Sequence, residues 1–226
     1  MQFFNQKDPA ARSAGQRQRS FSPSRRQLLV SSALGLIAAS AHAARAAPAI
    51  APELLRQARE ALDRHSAQIP NREMIVVADF SLPSYLPRFH LVDLVGGRVT
   101  SHLVAHGRGS DPRHTGWLER FSNAPGSHAT SAGTFRTDGF YTGGHGHSVR
   151  LSGLDPSNDN ALRRAIVVHG SWYVSEGMAA SHGVLGRSEG CFAVAATSLD
   201  SIIARLGPGH MIYSGKVGGR SLPLTS

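Results

Sequence analysis

A second cysteine is missing. Cys191 stands alone in 226 residues, so no disulfide closes within the chain and no C-x-x-C pair supports dithiol redox chemistry. Concentrated positive charge is missing from most of the chain as well. The formal net charge is +9, but residues 1–46 hold seven basic side chains against Asp8 alone, which leaves +3 for the rest. Scattered charge at that level gives no footprint for DNA or RNA, so nucleic acid is not expected as a partner. Long apolar runs are absent too. The stretch Leu28–Ala39 is twelve residues, against about 20 for a helix that spans a bilayer. No internal repeat and no linker between two cores is visible.

What the first residues do contain is ordered. Arg25 and Arg26 end a polar basic region, the apolar run follows, and Ala41-His42-Ala43 and Ala44-Arg45-Ala46 offer small-residue cleavage patterns. That is the layout of a secretory signal peptide. Ser24-Arg25-Arg26-Gln27-Leu28-Leu29 is similar to a twin-arginine signal, with Leu28 and Val30 at positions where Phe and Lys are commoner. The expectation is a signal peptide over 1–46, one domain over 47–226, and export to the periplasm by the twin-arginine route. The membrane is met only in transit; an uncleaved anchor stays open. An oxidising compartment normally pairs cysteines. A single one there is buried and inert, joined to another molecule, or kept as a reactive thiol.

Pro52–Ser66 has apolar residues at 54, 55, 58, 61 and 62 with Pro52 in the first turn, which predicts a helix. Met74–Phe80 reads as a strand, and Phe89–Val95 and Val99–His106 alternate about Gly96-Gly97 as a hairpin. From Gly107 to Asn160 the chain is rich in Gly, Ser, Asn, Asp and Pro, with short strands expected at 133–137 and 148–151. Such long loops in a compact domain are usually functional. Strands are expected at Ala165–His169, Cys191–Ala195 and His210–Ser214, and a helix over Ser198–Leu206 capped by Thr197 or Ser198. The fold class is mainly β, one domain with a helix at its start and a short helix near its end.

A cysteine nucleophile needs a base or charge partner, donors for the oxyanion, and access for its substrate. In Gly186–Val194, GRSEGCFAV, Gly190 permits close approach of a substrate to the backbone. The N–H groups of Gly190 and Cys191 are candidate oxyanion donors, and Arg187 is suited to gripping a carboxylate. Of twelve histidines, His169 is the best-placed base, because it ends a strong β run and precedes Gly170. His182, nine residues before Cys191, is the second candidate. A lone cysteine is most often a small buried apolar residue, but the polar, glycine-flanked turn favours a chemical role.

The segment IVVHGSWYVSEG…HGVLGRSEGCFAV resembles the catalytic domain of the L,D-transpeptidase (YkuD-like) family, in particular its murein L,D-transpeptidase catalytic domain branch. The blocks VVADFSLPS, LVAHGRGSD, FSNAPGSHATSAGTF, YTGGHGHSVRLSGL and NDNALRRAIVVHG extend the likeness over about residues 52–214. The resemblance implies a β-sandwich-like fold whose cleft holds Cys191 as nucleophile and His169 as a base oriented by a backbone carbonyl. It places Arg187, Ser188 and Gly170 beside the site, with Tyr141 over it. It implies acyl transfer from peptidoglycan tetrapeptide stems with no cofactor or metal: D-alanine leaves, a thioester forms, and an amine of a second stem makes a cross-link. Water as acceptor would give an L,D-carboxypeptidase. A non-catalytic wall-binding module and a one-cysteine peroxidase are the rival classes. Two positions depart from the branch: Glu189, where His or an aromatic is usual, and Phe192, where Pro is usual. A carboxylate at 189 opposes a thiolate unless it pairs, for example with Arg187, or meets a substrate amine.

Other groups read more plainly. His145 and His147 have metal-like spacing but no third ligand, which favours a loop or substrate role. His106, His114 and His128 read as solvated loop residues, Trp172 and Tyr173 as packing or cleft lining, and Ser127 as a turn residue. Asp155 and Asp159 lack the spacing of a calcium loop.

Overall fold

The computed structural model describes residues 48–144 and 146–218. The signal-peptide reading of 1–46 and His145 lie outside the described residues.

Helix α1 (Pro52–Arg64) forms where the apolar spacing predicts it. Leu54, Ala58, Ala61 and Leu62 are buried on one face, Pro52 sits at the start, and Glu53 complements the positive helix end. Among the described residues nine strands follow: β1 (Met74–Asp79), β2 (Phe89–Asp93), β3 (Val99–His102), β4 (Val104–Ala105), β5 (Gly133–Gly143), β6 (Gly146–Gly153), β7 (Val167–Ser171), β8 (Phe192–Ala195) and β9 (Met211–Gly215). Helix α2 (Glu176–His182) lies between β7 and β8, and α3 (Ala196–Arg205) between β8 and β9. Two expectations need correction. The hairpin β5–β6 runs longer than the short strands anticipated, and α2 falls where no helix was expected. In addition α3 starts at Ala196 behind an Ala195 N-cap that makes no side-chain bond, so neither Thr197 nor Ser198 caps it.

The strands make one sheet in the order β3-β2-β1-β9-β5-β6-β7-β8-β4. The pairs β1–β9 and β7–β8 are parallel. Strand alternation then decides what each face meets. Val76 and Ala78 of β1 join the main core, while Ile75 and Val77 face the cluster covered by α1. Phe192 and Val194 of β8 point to the main core, and Ala193 to the opposite side with Leu103, Ala105, Val174 and Leu185.

The sheet folds over on itself. Phe89 on β2 and Phe192 on β8 are six places apart in the strand order, yet their rings are 6.2 Å apart. Phe135 of β5 meets Phe192 edge-on at 5.3 Å and Phe80 stacks on it at 6.3 Å. The fold is mainly β and sandwich-like, built from one curled sheet around this aromatic centre.

Candidate active site

Pleating puts the sequence-marked residues on one face. Val168 of β7 faces the core, so Val167, His169 and Ser171 face away from it. The ladder matches His169 with Ser148 of β6 and Ala193 of β8, and Val168 with Phe192. Continuing that register by one residue sets Cys191 level with Val167, two residues along from His169 on the neighbouring parallel strand. Ser148 in turn pairs with Tyr141 of β5. Tyr141, Ser148, His169 and Cys191 therefore share the outer face of four adjacent strands.

His169 is almost fully buried, and its Nδ1 lies 3.0 Å from the Gly170 carbonyl. A carbonyl only accepts, so Nδ1 carries a proton, and in the neutral ring Nε2 then holds the lone pair that a general base requires. Gly170 also lets α3 approach: a Cβ there would lie 3.1 Å from the Ala196 Cα.

Cys191 is held by a turn tied to itself. Ser188 Oγ donates to the Cys191 carbonyl at 2.7 Å and accepts the Gly190 N–H at 3.1 Å. The Ser188 N–H donates to the His106 carbonyl at 3.0 Å, and the Arg108 N–H to the Ser188 carbonyl at 2.8 Å. Ser188 thus faces inward rather than toward a substrate, and the Gly190 N–H is engaged within the turn. Gly190 adopts φ +118°, and a Cβ on it would come within 2.8 Å of the Ala129 carbonyl and 2.9 Å of Arg164 Nη2. Only glycine fits both demands.

The thiol lies 3.6 Å from the Ala165 carbonyl. Burial pushes its pKa up, and Glu189 adds to that, against the Val167 N–H and the Arg164 charge, which pull it down. The resting sulfur is a thiol, so it would need a base to act as a nucleophile. Ala165 itself has φ 52°, a left-handed conformation that turns its carbonyl toward the sulfur.

Arg164 escaped the sequence reading. Its guanidinium binds the Ser122 carbonyl at 2.9 Å, Ser131 Oγ at 2.6 Å and the Ala129 carbonyl, and it stands as a cation beside Cys191. The arginine pair ahead of the β7 run was visible, but nothing local distinguishes an arginine that turns inward.

Glu189 pairs with Arg108 at 2.7 Å and with His128, not with Arg187. Arg187 instead reaches the carbonyls of Asp111 and Pro112. His182 ends α2, exposed, with Nδ1 on Ser181 Oγ, and no described contact joins it to Cys191. Trp172 is 80% exposed, whereas Tyr173 packs closely against Gly186. His147 lies beside the Phe140 ring.

His106, read as a solvated loop residue, is fully buried. Arg88, also buried, donates Nη2 to His106 Nδ1 at 2.7 Å, which directs the His106 Nε2–H toward Asp111 at 3.4 Å. Burial, with the Arg88 charge, drives the His106 pKa far down, so the imidazole is neutral. Since Ser188 hangs from the His106 carbonyl and Arg187 from that of Asp111, this buried trio anchors the cysteine turn.

A cavity of about 270 Å³ lies on the Ala165 side of Cys191, lined by Tyr141, Arg150, Leu151, Leu162, Ala165 and Val167. The Arg150 guanidinium stacks over the Tyr141 ring at 4.6 Å. Space and an aromatic wall therefore lie against Ala165, whose carbonyl is 3.6 Å from the Cys191 sulfur.

The profile of the L,D-transpeptidase catalytic domain matches residues 46–214. The chain belongs to that family. No curated protein matches it. Among solved structures it is similar to an L,D-transpeptidase from Mycobacterium smegmatis, at 16% identity over 63% of this chain and 58% of that one, with a TM-score of 0.39. An L,D-transpeptidase from Xylanimonas cellulosilytica gives 19% identity over 70% and 69%, with a TM-score of 0.35. The helical cell shape determining protein of Campylobacter jejuni gives 12% over 75% and 58%, with a TM-score of 0.40. The chain spans less than two thirds of the first of these structures. No helix among the described residues is long and apolar enough to cross a membrane.

Proposed function

We propose that the protein is an exported, cysteine-dependent L,D-transpeptidase acting on peptidoglycan tetrapeptide stems. The observation that carries this reading is the placement of Cys191 immediately before β8, which runs parallel to the β7 strand that holds His169, with His169 Nδ1 tied to the Gly170 carbonyl. His169 Nε2 takes the thiol proton as Cys191 Sγ attacks the diaminopimelate carbonyl that precedes the terminal D-alanine. The Cys191 N–H faces the oxyanion. The C–N bond breaks, the proton on His169 passes to the leaving D-alanine amine, and a thioester remains. An amine of a second stem then attacks the thioester and loses its proton through His169, which regenerates the thiol and leaves the cross-link. Water at that step yields the free tripeptide acid, the L,D-carboxypeptidase outcome. Export follows from the basic, apolar and small-residue pattern of 1–46, with no cofactor and no nucleic acid involved.

The test is intact mass after incubation with a carbapenem, a β-lactam that acylates an activated thiol. A covalent adduct absent in Cys191→Ala and slowed in His169→Ala supports the reading. No adduct, with Cys191 still open to a small thiol reagent, overturns it. Fractionation of cells carrying Arg25→Lys with Arg26→Lys tests the twin-arginine route, since the pair is its required feature.

A further inference from the structure

A second cavity, about 280 Å³, lies on the other side of the cysteine turn, lined by Arg108, Arg120, Arg187, His128, Ser127 and Pro112. Three guanidiniums and an imidazole line it, and no acidic residue does. It adjoins the turn directly. The Arg108 N–H holds the Ser188 carbonyl, and a Cβ on Gly107 would sit 2.8 Å from the Gly190 nitrogen.

The charges are only partly balanced. Glu189 stands at the rim, with both of its carboxylate oxygens on Arg108 Nε at 2.7 and 3.0 Å and His128 alongside. Arg120 donates Nε to the Gly109 carbonyl at 2.9 Å, and Arg187 donates to the carbonyls of Asp111 and Pro112. Among the described residues neither meets a carboxylate. Carbonyl bonds fix where those two guanidiniums point without neutralising them. A planar, weakly hydrated cation held this way is suited to a carboxylate. The Glu189 carboxylate demonstrates at the rim the geometry that the cavity accepts.

We propose that this cavity is a carboxylate-recognition subsite for the peptide donor, with Arg120 and Arg187 as its cationic walls and Glu189 as an internal competitor for Arg108. The inference rests on the proposed function, because it assigns the donor of that same reaction. A stem tetrapeptide carries several free carboxylates: that of the terminal residue, that of the γ-linked acidic residue and that on the diaminopimelate side chain. Any of them supplies the required chemistry.

Calorimetric titration of full-length Cys191→Ala protein reads binding without turnover. The probes are the tetrapeptide and three analogues, each with one carboxylate amidated. Loss of one charge-assisted contact should weaken binding about tenfold. Arg120→Gln should give that loss, Arg120→Lys should restore most of it, and Glu189→Gln should tighten binding by releasing Arg108. One of the three amidations should match the Arg120→Gln loss and add nothing to it, which identifies the carboxylate. Unchanged affinity on every amidation and in Arg120→Gln overturns the subsite. If carbapenem still acylates the unmutated chain, the proposed function survives that result. No peptide binding together with no acylation overturns both.

Discussion

Ser188 Oγ donates to the carbonyl of Cys191, three residues on, and accepts the N–H of Gly190 between them. One hydroxyl thus closes the turn that presents the sulfur. Ser188→Ala removes both bonds inside a buried turn and should cost about 1–3 kcal/mol of stability. It should also slow carbapenem acylation more than tenfold, because a loosened turn lets the sulfur leave its line of attack. Urea denaturation and adduct kinetics on the same samples check this.

Arg164 and Glu189 act on the Cys191 thiol in opposite directions. Removing the cation leaves the thiolate less stabilised, so Arg164→Gln should shift the pH midpoint of iodoacetamide alkylation upward. Removing the anion should shift it downward in Glu189→Gln. Arg164→Lys should restore the midpoint toward that of the parent. Movement of both variants in the same direction would refute this electrostatic account.

His90 is buried, its Nδ1 2.7 Å from Ser101 Oγ, and burial lowers its pKa to about 4 from 6.5. Between those values the unfolded chain holds a proton that the folded chain lacks, so stability is complete above pH 6.5 and is lost as pH falls toward 4. His106 is shifted the same way, chiefly by burial. The thermal midpoint should drop across this window, and His90→Gln should flatten part of the slope. Thermal scans in buffers from pH 7 to 4 measure it.

Phe192 touches Phe80, Phe89 and Phe135 in the main core, on the sheet face opposite Cys191. Its departure from the branch's usual proline is therefore a matter of packing. Phe192→Ala should cost about 3–5 kcal/mol by leaving a cavity at the aromatic centre. Phe192→Leu should cost less and leave acylation by carbapenem largely intact. Denaturant midpoints with adduct kinetics separate the two effects.

Much of this architecture was legible where a local rule acts alone. The period of Leu54, Ala58, Ala61 and Leu62 sets α1, and the branched run from Ile75 to Val77 sets β1. The turn at Gly190 could be read from residue type, because glycine answers a backbone need. Helix α2 was not legible, since a seven-residue helix with no fully buried side chain has no apolar stripe, although Ser175 and Gly183 cap it. Arg88, Arg164 and the Arg108 partner of Glu189 were not legible either. Their roles come from partners, mostly backbone carbonyls, that lie up to 81 residues away in sequence. His106 misled for the same reason: a histidine in a polar stretch became the buried support of the turn.

The strand order carries one more consequence. Strand β9 is the last strand among the described residues but lies between β1 and β5, so the backbone ladders of the two halves of the sheet join only through it. Loop-closure entropy must be met before that join rewards the chain. The nascent polypeptide therefore gains a continuous sheet only when synthesis has passed Gly215, and until then a lone thiol travels on an unfinished scaffold. Completion of the sheet thus waits for β9, and acquisition of reactivity should coincide with it.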